Sequence, residues 1–154
     1  MSPSPATDLG ALAARVRTAL DDETTHRLAA AGHAGLRPLH RTVLAALDDD
    51  GTRATAVARR TGQHKQVVGT SVDELEALGY VERRTDPADR RAKLVVPTAR
   101  GRDHRRVHAA ILDDLATRHR DAVGERIFTL AVRVLTDVAD RQERWRDAHP
   151  TDDG

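Results

Sequence analysis

Asp89, Arg90 and Arg91 follow an Asp86-Pro87 pair, and Lys93 stands two residues further on. Proline fixes its own φ and pushes the residue before it out of helical space, so Asp86-Pro87 marks a chain reversal. Guanidinium groups at the tip of such a reversal present planar forks of donors that suit phosphate oxygens. Arg83 and Arg84 precede the turn on an extended run and must alternate faces, so at most one points with the tip; Arg84 is taken as that residue. Upstream, His64-Lys65-Gln66 opens a run with Val68, Val72 and Leu75 spaced by three and four, which is a helix with one apolar face.

The net charge of +1 conceals a gradient. Met1 to Gly51 carries −2, Thr52 to Arg106 carries +6 and Val107 onward carries −3. A near-neutral chain with its positive charge in the middle third has a local footprint for a polyanion. Enzyme chemistry finds little support. Cysteine is absent, which removes disulfides and thiolate nucleophiles, and the serines are Ser2, Ser4 and Ser71 alone. No paired-acid cleft, glycine-rich phosphate loop or cofactor motif is readable, so no catalysis and no cofactor are predicted.

The elements that must position these residues are helical. The aromatic residues are Tyr80, Phe128 and Trp145, so the core must come from Leu, Val and Ala, which favours closely packed helices. A length of 154 residues suits one domain with a helical extension. Residues 1–7 carry no apolar pattern and are expected to be disordered, and 150–154 to form a loose acidic tail. Leu9, Leu12, Val16, Leu20 and Leu28 predict a first helix, and Pro38 opens a second with Leu39, Val43, Leu44 and Leu47. A short third helix runs from about Arg53 to Arg60 with Thr52 as its cap, and a fourth from about Lys65 to Leu78. Thr98 caps a fifth helix that Gly124 breaks, and a sixth carries Ile127, Leu130, Val134, Val138 and Trp145. Pro97 predicts a return strand that is short or lies at an edge. No apolar run approaches the roughly 18 residues that span a bilayer, and the Ser/Pro-rich start lacks the pattern of a signal peptide, so a cytoplasmic location is expected.

Helix, the turn Thr61-Gly62-Gln63, helix and basic hairpin is the layout of a winged helix-turn-helix. Residues 78–101 closely resemble the wing of the MarR family of bacterial transcription regulators. Its motif places an Asp two residues before an Arg, a Thr seven beyond that Arg and a Gly shortly after; here these are Asp89, Arg91, Thr98 and Gly101. Val57-Ala58-Arg59-Arg60-Thr61-Gly62 is similar to the family's first helix and turn. The resemblance covers roughly residues 9–148, with its specific motif in 57–101.

The resemblance implies a mostly α fold: one domain over 8–149, with the winged helix-turn-helix at 36–100 and dimerisation helices at 8–31 and 101–149. It also implies a homodimer binding a pseudo-palindromic operator in double-stranded DNA, acting as a ligand-responsive repressor. Apolar faces left over on the first, fifth and sixth helices point to the same dimer. The fourth helix would lie in the major groove. Lys65 suits a phosphate or guanine, Gln66 can pair two bonds with adenine, Gly69 permits close backbone approach and Thr70 offers a hydroxyl and a methyl. His64 either caps this helix or touches a phosphate. Arg91 would enter the minor groove, with Asp89 holding its guanidinium, and Arg90 and Lys93 would meet the backbone.

Family members commonly take a small anionic or phenolic effector between the helical dimer region and the winged domain. Arg15, His33, Arg37, His40 and His104 are the polar candidates here. His104 and His108, four apart on one helical face, have the spacing of a zinc pair but need further ligands, so no metal is predicted. Two alternatives remain beside the leading reading: a zinc-responsive regulator of the same fold, and a winged-helix protein-interaction module without DNA binding. The second would dispense with the basic wing tip.

Overall fold

The helical spacings are realised in six helices and a small sheet in the computed structural model, which describes residues 8–149. The expectations for 1–7 and 150–154 lie outside the described residues. In chain order the elements are α1 (Leu9–Ala30), α2 (Pro38–Ala45), β1 (Thr52–Arg53), α3 (Ala54–Thr61), α4 (Lys65–Ala77), β2 (Val81–Asp86), β3 (Asp89–Pro97), α5 (Ala99–Val123) and α6 (Glu125–Ala148). The described residues form two units that divide within α5, between Ile111 and Leu112.

In the first unit, α2, α3 and α4 pack around Val43, Leu44, Val57, Val68, Val72 and Leu75, each fully buried. Tyr80, Val81 and Val95 close this core from the sheet. Burying side chains of this size contributes about 1.5–3 kcal/mol each, which is why four short elements hold together without disulfides. Gly62 ends α3 in the left-handed conformation at φ 65°, which a β-carbon would resist, so the chain turns at once into α4. Leu78 is 39% exposed, because it sits at the C-cap where the helical face no longer meets the core.

The hairpin is part of a three-stranded antiparallel sheet in the order β1-β3-β2. Thr52 pairs with Val95 and Arg53 with Leu94, so the two-residue β1 extends the expected two-stranded wing at its base. Two expectations are thereby corrected. Thr52 does not cap α3; its hydroxyl is spent on Asp48, and the N-cap is Arg53. The return strand is neither short nor at an edge: β3 runs nine residues between β1 and β2, and Pro97 at its end pairs with Val81 beyond the reach of β1, where a missing N–H costs nothing.

Asp8 caps α1 by accepting the Ala11 N–H at 2.9 Å. Along α1 only Thr24 and Leu28 are buried, while Leu9, Leu12 and Val16 are exposed. The second unit holds the end of α5, the break at Gly124, and α6. Arg120 bridges the break, pairing with Glu125 at 3.2 Å and lying over the Phe128 ring. Helix α6 buries none of its residues, and Ile127, Leu130, Val134, Leu135 and Trp145 are each more than half exposed. No helix among the described residues is long and apolar enough to cross a membrane.

Candidate nucleic-acid interface

Burial of Val68, Ser71, Val72 and Leu75 fixes the rotation of α4 and turns its opposite face outward. Its first turn presents a shallow open depression lined by His64, Lys65, Gln66, Val67 and Thr70. Val67 was missed by the sequence reading: it reads as one more apolar residue of the helix, yet it is 39% exposed beside Gln66. A β-carbon on Gly69 would meet only open space, so the backbone there is open to close approach. The Thr70 hydroxyl donates to the Gln66 carbonyl at 3.2 Å and is already engaged. His64 occupies the N-cap position but makes no capping bond, so of its two readings the cap is overturned: the imidazole is exposed and leaves the first N–H groups of α4 open.

On the wing, the structure sorts the cations by whether a carboxylate already holds them. Arg83 turns back onto α4, donating to Asp73 at 2.6 Å and pairing with Glu76. Arg84 projects to the other side, paired with its neighbour Glu82 but largely exposed. Lys93 donates to the Thr85 hydroxyl at 3.0 Å. Arg90 and Arg91 are exposed and their guanidinium groups have no intramolecular partner among the described residues.

Asp89 does not hold the Arg91 guanidinium, contrary to expectation. One oxygen accepts the Arg91 backbone N–H at 3.1 Å, and the other lies 3.7 Å from Arg53. The residue that organises the turn is Asp86, which is buried. Its Oδ1 accepts the Ala88 N–H at 2.8 Å, and its Oδ2 accepts from Arg53 Nε at 2.8 Å and Nη2 at 2.5 Å. The Ala88 N–H first, and then the Arg53 guanidinium, hold the Asp86 carboxyl below the usual carboxylate range.

Behind the wing, Tyr80 joins three elements. Its backbone carbonyl accepts the Thr98 N–H at 3.0 Å, and the Thr98 hydroxyl donates to the Gly79 carbonyl at 2.7 Å while accepting the Gly101 N–H at 3.2 Å. Thr98 therefore caps α5 as expected and ties it to the end of α4. The Tyr80 hydroxyl lies 3.2 Å from His33 Nδ1, and His33 Nε2 lies 3.1 Å from Asp103, so the imidazole links Tyr80 to α5.

The effector candidates fall into separate groups. His33 and His104 come together, with ring centroids 5.3 Å apart, and His104 is fully buried with neither ring nitrogen hydrogen-bonded among the described residues. Burial first, then the neighbouring His108 and His33, pushes the His104 ring down to about 4. His108 lies 5.6 Å from it, and no group of three or more metal-ligating side chains converges among the described residues. Arg37 and His40 pair instead with Glu74 of α4, His40 Nε2 at 2.6 Å. Arg15 stands exposed on α1 without a partner among the described residues. Arg41 was missed: it is buried, donating to Asp21 and to Thr25, both at 2.7 Å, and a lone Arg in an apolar run gives no sequence signal of such a pair.

A sequence profile of the MarR family matches residues 34–92, which spans α2 to the wing tip. Among solved structures, CouR of Rhodococcus jostii RHA1, bound to p-coumaroyl-CoA, is 28% identical. That match covers 90% of this chain and 96% of CouR at a TM-score of 0.70. A MarR-family transcriptional regulator from Rhodococcus sp. RHA1 is 27% identical over 90% and 98% of the two chains, also at 0.70. FabT of Streptococcus pneumoniae, solved in complex with DNA, shares the fold at 20% identity, 88% and 95% coverage and a TM-score of 0.76. No curated protein sequence matches the chain.

Proposed function

Since the chain belongs to the MarR family of winged helix-turn-helix regulators, we propose that it is a ligand-responsive homodimeric repressor of transcription that reads a pseudo-palindromic operator. Regulators of this family are non-enzymatic DNA-binding proteins, and we assign this chain no catalytic step. Helix α4 enters the major groove, where Gln66 pairs with adenine and Val67 packs against a thymine methyl. Arg91 enters the minor groove, and Lys65, His64, Arg84, Arg90 and Lys93 meet phosphates.

One observation carries this reading. The first turn of α4 and the tip of the wing keep Lys65, Arg90 and Arg91 exposed and unpaired among the described residues, while Arg53, Arg60 and Arg83 behind them are tied to carboxylates. Free guanidinium groups on a hairpin gain most from phosphate, because no internal partner has to be given up. The dimer is assigned to α1, α5 and α6, whose exposed apolar side chains need a covering surface. Half-sites would then lie about one helical turn apart.

The likeness to CouR, solved with p-coumaroyl-CoA, supports a small effector with phenolic or anionic character. Binding would act by its different affinity for two dimer arrangements. The test is Arg91→Ala against a duplex that the unaltered protein selects from a random-sequence pool. Binding falls at least tenfold with the helical content unchanged, whereas equal affinity removes the wing from the mechanism.

A further inference from the structure

We propose that Arg53, at the start of α3, is the positioning residue of the wing: it sets the aim of Arg91 through the two turn aspartates without itself contacting DNA. The inference rests on the DNA-binding reading above and adds a residue that neither the motif nor the recognition helix includes.

Arg53 is the N-cap of α3, with extended backbone angles (φ −65°, ψ 139°) and no capping bond from its side chain. A guanidinium has five donors and no acceptor, so it cannot satisfy the open N–H groups of a helix start. The position is therefore filled by a residue unsuited to it, and the side chain is committed elsewhere. Its Nε and Nη2 both converge on Asp86 Oδ2, at 2.8 and 2.5 Å, and Nη2 also reaches to 3.7 Å from Asp89 Oδ2.

Both aspartates are in turn bonded into the backbone of the tip. Asp86 is the last residue of β2 and pairs across the hairpin with Asp89, at the point where the strand register shifts. Its second oxygen holds the Ala88 N–H at 2.8 Å, and Asp89 holds the Arg91 N–H at 3.1 Å. One guanidinium thus spans from the first helix of the helix-turn-helix to both sides of the turn, and through one further bond each to the backbone at 88 and at 91. Backbone pairing of β1 to β3 reaches only Val95 and Leu94, well short of the tip. Beyond those pairs, the Arg53 side chain ties the tip of the hairpin to the start of α3.

The arrangement also explains why two carboxylates sit beside a phosphate-seeking loop. Without a cation, the buried Asp86 carboxylate would oppose both folding of the turn and approach of a polyanion. Arg53 neutralises it from behind, while Arg90 and Arg91 stay exposed with no partner among the described residues.

Two measurements on the full-length protein test this. Amide hydrogen exchange on the free protein is expected to quicken by roughly tenfold at Ala88 and Arg91 in Arg53→Ala, with α4 amides such as Val68 and Val72 unaltered, as local rather than global opening requires. Unchanged exchange at the tip overturns the proposal whether or not DNA binds. The second is a double-mutant cycle with Arg91→Ala on the selected duplex. Arg53→Ala alone is expected to weaken binding by roughly tenfold, and the pair to bind no worse than Arg91→Ala alone, since one residue acts through the other. Arg53→Lys recovers only part of the loss, because a single ammonium cannot reproduce the two-nitrogen contact. If the two losses multiply and Arg53→Ala lowers the salt slope by about one, Arg53 is itself a phosphate contact and the proposal fails. If the unaltered protein selects no duplex, the DNA-binding reading fails, and the exchange result still decides what Arg53 does to the tip.

Discussion

The backbone carbonyl of Tyr80 occupies the space that a β-carbon on Gly101 would need. Gly101 lies in the first turn of α5 and Tyr80 follows the end of α4, so this close approach, with the Thr98 bonds beside it, docks the fifth helix onto the recognition helix. Gly101→Ala is expected to lower stability by about 1–3 kcal/mol, since the obstacle is backbone and cannot rotate aside. A urea midpoint that does not move would mean the joint opens at no cost.

Gln66→Ala is expected to cost about 1–3 kcal/mol of specific binding and to relax base preference at one position in each half-site. Val67→Ser is expected to relax preference for thymine at a neighbouring position with a smaller loss. Both are read by repeating the duplex selection with each variant. A loss that is uniform across all sequences would make Gln66 a backbone contact.

His104 supplies a pH dependence. Its ring is pushed down to about 4 from an ordinary 6.5, with burial the largest cause, and His40 and His108 are lowered in the same direction by burial first and then by Arg37 and Arg41 respectively. Between those two values the unfolded chain binds the proton that the folded chain refuses, so stability rises with pH. The His104 contribution is therefore fully present above about 6.5 and is lost as pH falls toward 4, a change on the order of 3 kcal/mol. Urea midpoints measured from pH 7.5 to 4.5 should fall steadily, and His104→Phe should flatten that slope. An identical slope in the variant would assign the dependence to other groups.

The dimer is tested on α6. Leu130 is 59% exposed in the single chain, between Ile127 and Val134 on one face of a helix that buries nothing. Leu130→Glu is expected to shift the protein toward monomer in sedimentation velocity and to weaken operator binding with it. A full dimer in the variant would place the interface elsewhere.

Helix positions were legible because Val68, Val72 and Leu75 repeat at spacings only one helical face can bury, whereas Leu47, expected on the second helix, lies past its end at Ala45 and is buried from the loop that follows. The wing was legible because Asp86-Pro87 can only turn and Thr98 and Gly101 mark the next helix start. What stayed hidden were pairings between residues distant along the chain. Arg53 with Asp86 and Arg41 with Asp21 span 33 and 20 residues, and nothing local distinguishes a paired arginine from a free one. Asp89 was assigned to the Arg91 guanidinium on charge alone, whereas the turn uses it for a backbone N–H that no charge argument would reveal. Thr52 was read as a cap for its residue type, and the sheet claimed it because Val95 stood across from it.

The most direct test of the account is the salt dependence of duplex binding by the purified dimer, read by fluorescence anisotropy. Log affinity should fall linearly with log salt with a slope of about −0.9 for each phosphate neutralised, and the slope should become shallower when Lys65 and Arg90 are replaced by alanine. Binding that ignores salt, or no binding to any duplex at about 50 mM salt, would contradict the assignment of α4 and the wing as the surface that meets DNA.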